Sequence, residues 1–155
     1  METDAAGRFP IEGGPFIKPT WIVRTTAPAS VALDAFARGL VDAKYRVIDS
    51  TPSMRRLKAG SALRFIASNV VGVELIPGMR SWGFEARATM TAQTDAGRTR
   101  VVITIDRLAH GSMVAVPYTA DALDRGAAAL VAAGYEFEVA PLMEGKGLRP
   151  SDAGR

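Results

Sequence analysis

The chain's single histidine, His110, stands two residues before Ser112 and four after Asp106, so a Ser/His/Asp relay can be drawn from residues already close in sequence. Such a relay needs the imidazole held in space between hydroxyl and carboxylate, and neighbours along one loop supply none of that geometry. A solvent-exposed loop histidine is the expectation, and no catalytic residue is assigned. The absence of cysteine excludes thiol nucleophiles, disulfides, cysteine-ligated zinc and iron–sulfur clusters. One histidine and scattered carboxylates offer no metal set. The glycines at Gly13-Gly14 and Gly145-Lys146-Gly147 match neither a phosphate-binding loop nor a dinucleotide fingerprint. No cofactor, metal or enzymatic activity is expected.

Two other sets of side chains carry chemistry. Tyr45, Trp82, Phe84, Met90, Tyr118 and Tyr135, with Phe137, can line a cavity between a sheet and helices, a usual place for a small apolar or amphipathic ligand. The same side chains equally fill a close-packed core. Ala86, Ala88 and Ala92 are small for inward-facing strand positions, which leaves room for a ligand or for a closely packed helix. The second set is basic: Arg55, Arg56, Lys58, Arg87, Arg98 and Arg100. Net charge is balanced over residues 1–50, +5 over 51–107 and −2 over 108–155. A solvated face explains such a run by itself; an anionic partner is the functional reading. Nucleic acid is the weaker form of it, because the aromatics fall on the opposite rows from the arginines and give no stacking platform.

The elements that must position these residues follow from periodicity. Residues 1–16 hold three glycines and two prolines and read as a flexible lead-in. From Ile17 to Thr26, Trp21, Val23 and Thr25 alternate with Ile22 and Arg24 as in a strand. Pro28 suits a first helical turn, and Ala29 to Lys44 reads as a helix with Leu33, Phe36, Leu40 and Val41 as its apolar stripe. Tyr45 to Ser50 and Arg55 to Ala59 read as strands about the turn Thr51 to Met54. Residues 60–69 fit strand, helix or loop equally. The connection Leu108 to Pro117 is read as holding a short strand at Ser112 to Val116. Thr119 is then the N-cap of a helix from Ala120 to Ala133, with Gly134 just past its end. Tyr135, Phe137 and Val139 alternate with Glu136 and Glu138 as a last strand.

The stretch from Val70 to Arg107 permits an argument about register. A Pro77-Gly78 turn pairs Val73 with Trp82 and Val71 with Phe84, so that both apolar rows point the same way. In the next hairpin a three-residue loop sets Met90 opposite Val102, and a four-residue loop, Asp95 to Arg98, sets it opposite Ile103. A slip of one residue reverses a face. The four-residue loop is favoured, because it keeps Val101, Ile103 and Ile105 on the apolar face and Arg100, Thr104 and Asp106 with Arg87, Thr89 and Thr91.

The expected fold is α+β: an antiparallel meander with two helices packed on one face. In element order, β-α-β(4–5)-α-β, it resembles the helix-grip group that includes START-like and Bet v 1-like ligand-binding domains, which implies a ligand between sheet and helices. A ferredoxin-like split βαβ is the alternative. The expected organisation is a lead-in (1–16), one domain (17–140) and a flexible tail (141–155). No stretch approaches the roughly 18 apolar residues of a membrane span. The N-terminus has no apolar signal core, which makes the cytoplasm the expected compartment. The expected function is non-enzymatic binding of a small apolar ligand. A protein-interaction or assembly module, with another protein or a second copy on the outer face or edge strands, is the alternative; weak nucleic-acid binding is third.

Overall fold

The computed structural model describes residues 9–12, 16, 18–59, 86–108 and 112–145. Among them the order is β1 (Pro19–Thr25), α1 (Ala29–Asp42), β2 (Arg46–Thr51), β3 (Met54–Ala59), β4 (Ala86–Asp95), β5 (Arg98–Leu108), α2 (Ser112–Ala132), β6 (Phe137–Val139) and β7 (Met143–Glu144). The strands form one seven-stranded sheet in the order β2-β3-β4-β5-β1-β6, with β7 also on β1, and every pairing is antiparallel. The protein is thus α+β, with both helices over one face. Three strands separate β1 from β2, so α1 crosses the whole sheet. A split βαβ would leave a single strand between them, and that alternative is not the one adopted.

Alternation places the core. Trp21 and Val23 of β1, Leu57 of β3, Ala88 and Met90 of β4, and Val101, Ile103 and Ile105 of β5 are buried beneath Leu33, Phe36 and Leu40 of α1. Met90 stands opposite Ile103, as the row argument requires. Asp95 pairs with Arg98, so the connection closes as the two-residue turn Ala96-Gly97. Both turn residues have positive φ, 50° and 78°, the twist that suits an antiparallel hairpin. Val71, Val73, Leu75, Trp82 and Phe84, and residues 60–69, lie outside the described residues.

The second helix corrects the reading of residues 112–119. Ser112 to Val116 is helical, and α2 runs through Pro117. A proline forfeits one backbone hydrogen bond and crowds the preceding turn, but here it sits near the helix start. The buried stripe Val116, Ala120, Leu123, Ala127 and Leu130 has helical spacing on both sides of it. Thr119 is consequently a buried side chain within the helix, not its cap.

Both helices end alike, on Leu-Val-x-Ala-x-Tyr. Tyr45 N–H donates to the Leu40 carbonyl (2.9 Å) and Tyr135 N–H to that of Leu130 (3.0 Å). The residue before each tyrosine is left-handed, Lys44 at φ 75° and Gly134 at φ 90°, which makes each end a Schellman cap. The helices cross where neither has a side chain: a Cβ on Gly39 would lie 2.3 Å from the Ala122 carbonyl oxygen, and one on Gly126 2.7 Å from that of Ala35.

Packing reaches beyond residues 17–140. Phe9 is buried (3% exposed), edge-on to Trp21 and Phe36 with ring centres 5.7 Å apart in both contacts. The Trp21 indole donates to the Pro10 carbonyl at 2.7 Å, and the Phe9 N–H to Asp124 at 2.7 Å. At the other end β7 pairs with Pro19 and Thr20, and Gly145 N–H donates to the Lys18 carbonyl at 2.8 Å. Among the described residues no helix is long and apolar enough to cross a membrane.

Candidate functional site

The aromatic set is tied up by the protein itself where it is described. Its Schellman cap turns Tyr45 under α2, where its hydroxyl and that of Thr119 share a hydrogen bond of 2.7 Å. The Tyr118 ring stacks on Tyr45 at 6.4 Å, and the Tyr118 hydroxyl donates to the Ala43 carbonyl. Met90 is fully buried, and Tyr118 and Tyr135 are half-buried against the core. Trp82, Phe84 and His110 lie outside the described residues. This arrangement latches the C-terminal end of α1 onto α2. Burial pushes the Tyr45 hydroxyl up to about 12. The Thr119 hydrogen bond opposes that shift, and the neighbouring Tyr118 adds to it.

That shift has a pH signature. An unfolded tyrosine ionises near pH 10, whereas the folded Tyr45 holds its proton to about pH 12. Between those values the unfolded chain carries fewer protons, so stability falls as pH rises. Alkaline titration followed by circular dichroism is expected to show a loss of about 2 kcal/mol across that window. Tyr45→Phe removes the loss at high pH. It costs about 1–2 kcal/mol at neutral pH, because the Thr119 hydroxyl is left buried and unpaired. Equal alkaline slopes for both proteins would show that Tyr45 is not the group responsible.

The basic set separates by strand parity. Arg55 pairs with Met90 and so faces the helices, where it meets Asp34 of α1 at 3.1 Å and donates to the carbonyls of Thr51 and Met54. Arg56, Lys58, Arg87, Arg98 and Arg100 share the outer face. Register arranges that face in rows about 7 Å apart along the strands. The first is Arg46–Lys58–Arg87. The second is Asp49–Arg56–Thr89–Thr104–Thr20, where Thr89 donates to Asp106 and Thr104 and Thr20 lie 3.0 Å apart. The third, Thr51–Met54–Thr91–Val102–Ile22, is the apolar one. The fourth is Gln93–Arg100–Arg24–Glu138, and Asp95 faces Arg98 beyond it.

Cations directly opposed across neighbouring strands repel and destabilise a sheet. Arg46 on Lys58, Lys58 on Arg87 and Arg24 on Arg100 are three such pairs. The Arg87 Nε is also shielded from solvent with no hydrogen-bond partner. Arg24 and Arg46 were absent from the sequence-derived basic set. Alternation in each strand marks their face, but only the pairings of β1 with β5 and β2 with β3 bring them beside the others. Among the described residues no cluster of three or more His, Cys, Asp or Glu could hold a metal ion. No family model, curated protein or solved structure matches the chain.

Proposed function

We propose that the protein is an interaction module whose outer sheet face binds a short acidic segment carrying apolar residues. The observation that carries this reading is the order of rows on that face: a half-buried apolar centre of Met54 and Val102, flanked by the buried Ile22, lies between cationic rows led by Arg46–Lys58–Arg87 and by Arg100–Arg24. An apolar middle with an arginine-rich rim is the anatomy of a protein interface. Rows about 7 Å apart and strands about 4.8 Å apart make the face roughly 20 by 20 Å. That is about half of what each partner contributes to a standard interface, which favours a weak contact with a segment over a stable dimer. A ligand between sheet and helices is less supported, since Tyr45 and Thr119 already satisfy one another and the alanines of β4 are buried beneath α1.

The test is fluorescence polarisation with a labelled 12-residue peptide of alternating Glu-Glu-Leu units against a 15-nucleotide oligo(A). Saturable peptide binding that weakens with salt is expected, because rim charges are screened. Arg87→Gln is expected to weaken it about tenfold, the worth of one charge-assisted contact. The same change should leave the melting temperature equal or slightly higher, because it relieves the repulsion from Lys58. Binding of oligo(A) in preference to the peptide, or peptide affinity untouched by Arg87→Gln, would overturn the reading.

A further inference from the structure

We infer that the recess at the β4–β5 turn end of the outer face is an oxyanion site selective for phosphate that retains a proton. Arg24, Arg98 and Arg100 converge there on a space of about 390 Å³, bordered also by Gln93, Asp95, Thr99 and Glu138. A smaller recess of about 160 Å³, lined by Arg24, Arg98, Glu136 and Glu138 among others, adjoins it along β6. Three guanidiniums bring up to fifteen N–H donors to this one recess. The Arg100 side chain is steadied by a 3.0 Å hydrogen bond that it donates to Oε1 of the Gln93 side chain. Arg24 stands opposite Glu138 in register and Arg98 opposite Asp95, and neither pair closes to an ion pair among the described residues. Arg24 and Arg98 are therefore turned to the shared space rather than spent on their carboxylate neighbours.

The two carboxylates set the selectivity. Asp95 and Glu138 are acceptors only, and they repel an anion that has nothing to donate. Hydrogen phosphate carries an O–H that one of them can accept while its remaining oxygens take the arginine N–H groups in bidentate fashion. Sulfate has the same shape and charge but no proton at neutral pH, so it leaves a carboxylate facing an oxyanion. The site thus favours phosphate over sulfate, and the phosphoryl group can be free or carried as an ester.

This inference does not rest on the acidic-segment reading, and different side chains test it. Isothermal titration at low ionic strength with inorganic phosphate, O-phosphoserine and sulfate is the experiment. Phosphate is expected to bind at least about tenfold more tightly than sulfate, and Arg24→Gln and Arg98→Gln each to weaken phosphate about tenfold. Arg87→Gln, three rows away from Arg24 and Arg100, should leave it unchanged. Phosphoserine matching phosphate at mildly acid pH and losing affinity at higher pH identifies an esterified ligand, whereas phosphate exceeding it throughout identifies the free ion; both support the site. Equal affinities for phosphate and sulfate would overturn it. So would the absence of binding, or affinity that survives both arginine changes in variants whose circular dichroism shows them folded.

Discussion

Phe9→Ala is expected to lower stability by about 3–4 kcal/mol, the usual cost of emptying a buried phenylalanine site. The ring lies between Trp21 and Phe36, edge-on to both, so its loss opens a cavity where β1 and α1 meet. Collapse to fill that cavity is resisted, because Trp21 is fully buried and held by the Pro10 carbonyl at 2.7 Å. At about 2–4 °C per kcal/mol for a chain of this size, the melting temperature should fall by roughly 10 °C. Removing residues 1–12 should cost at least as much, since the indole N–H then also loses its acceptor. Thermal and urea unfolding of both variants measure this. A change below about 1 kcal/mol would show that the N-terminal segment contributes little to the core.

Gly39→Ala should also destabilise, against the ordinary expectation for a helix. Within an exposed helix, alanine for glycine gains about 1 kcal/mol. At Gly39 the added Cβ would lie 2.3 Å from the Ala122 carbonyl oxygen, a backbone atom that cannot swing aside. Separating α1 from α2 to admit it loosens their whole contact, at a cost of about 3 kcal/mol by the measure of overpacked cores. The net loss is about 2 kcal/mol. Gly126→Ala meets the Ala35 carbonyl oxygen at 2.7 Å and should behave in the same way. The double variant should lose less than the sum, because one displacement of the helices relieves both clashes. Either single variant melting at or above the parent temperature would contradict this.

The strands of the sheet's centre could be read from the chain because one face of each is buried. In β4 and β5 a shift of one residue would bury Arg100 and Thr104 and expose Ile103, and that penalty selected the pairing of Met90 with Ile103. No such rule acts on Phe9, a lone aromatic among glycines and prolines whose partners lie on β1 and α1. Nor does any act on Gly39 and Gly126, since close approach belongs to the crossing of two helices and not to either one. The short apolar run Ser112 to Val116 fits a strand as well as a helical turn, and the helix that starts at Ser112 carries Pro117 inside it. In the candidate site, residue types showed the basic character but not its sides. Adjacent arginines on a strand point to opposite faces, which sends Arg55 to Asp34 and leaves Arg56 outside.

The position of β1 between β5 and β6 has a consequence for how the chain comes together. Thr20 meets Thr104, 84 residues later, and Phe9 meets Asp124, 115 residues later. Such distant pairings form late, after the β4–β5 hairpin has offered its edge. At about 5–20 residues per second, β1 is synthesised several seconds before β5 exists. Trp21 and Val23 wait through that interval with no sheet to join, so the nascent N-terminal third is the stretch most in need of shielding until the second hairpin emerges.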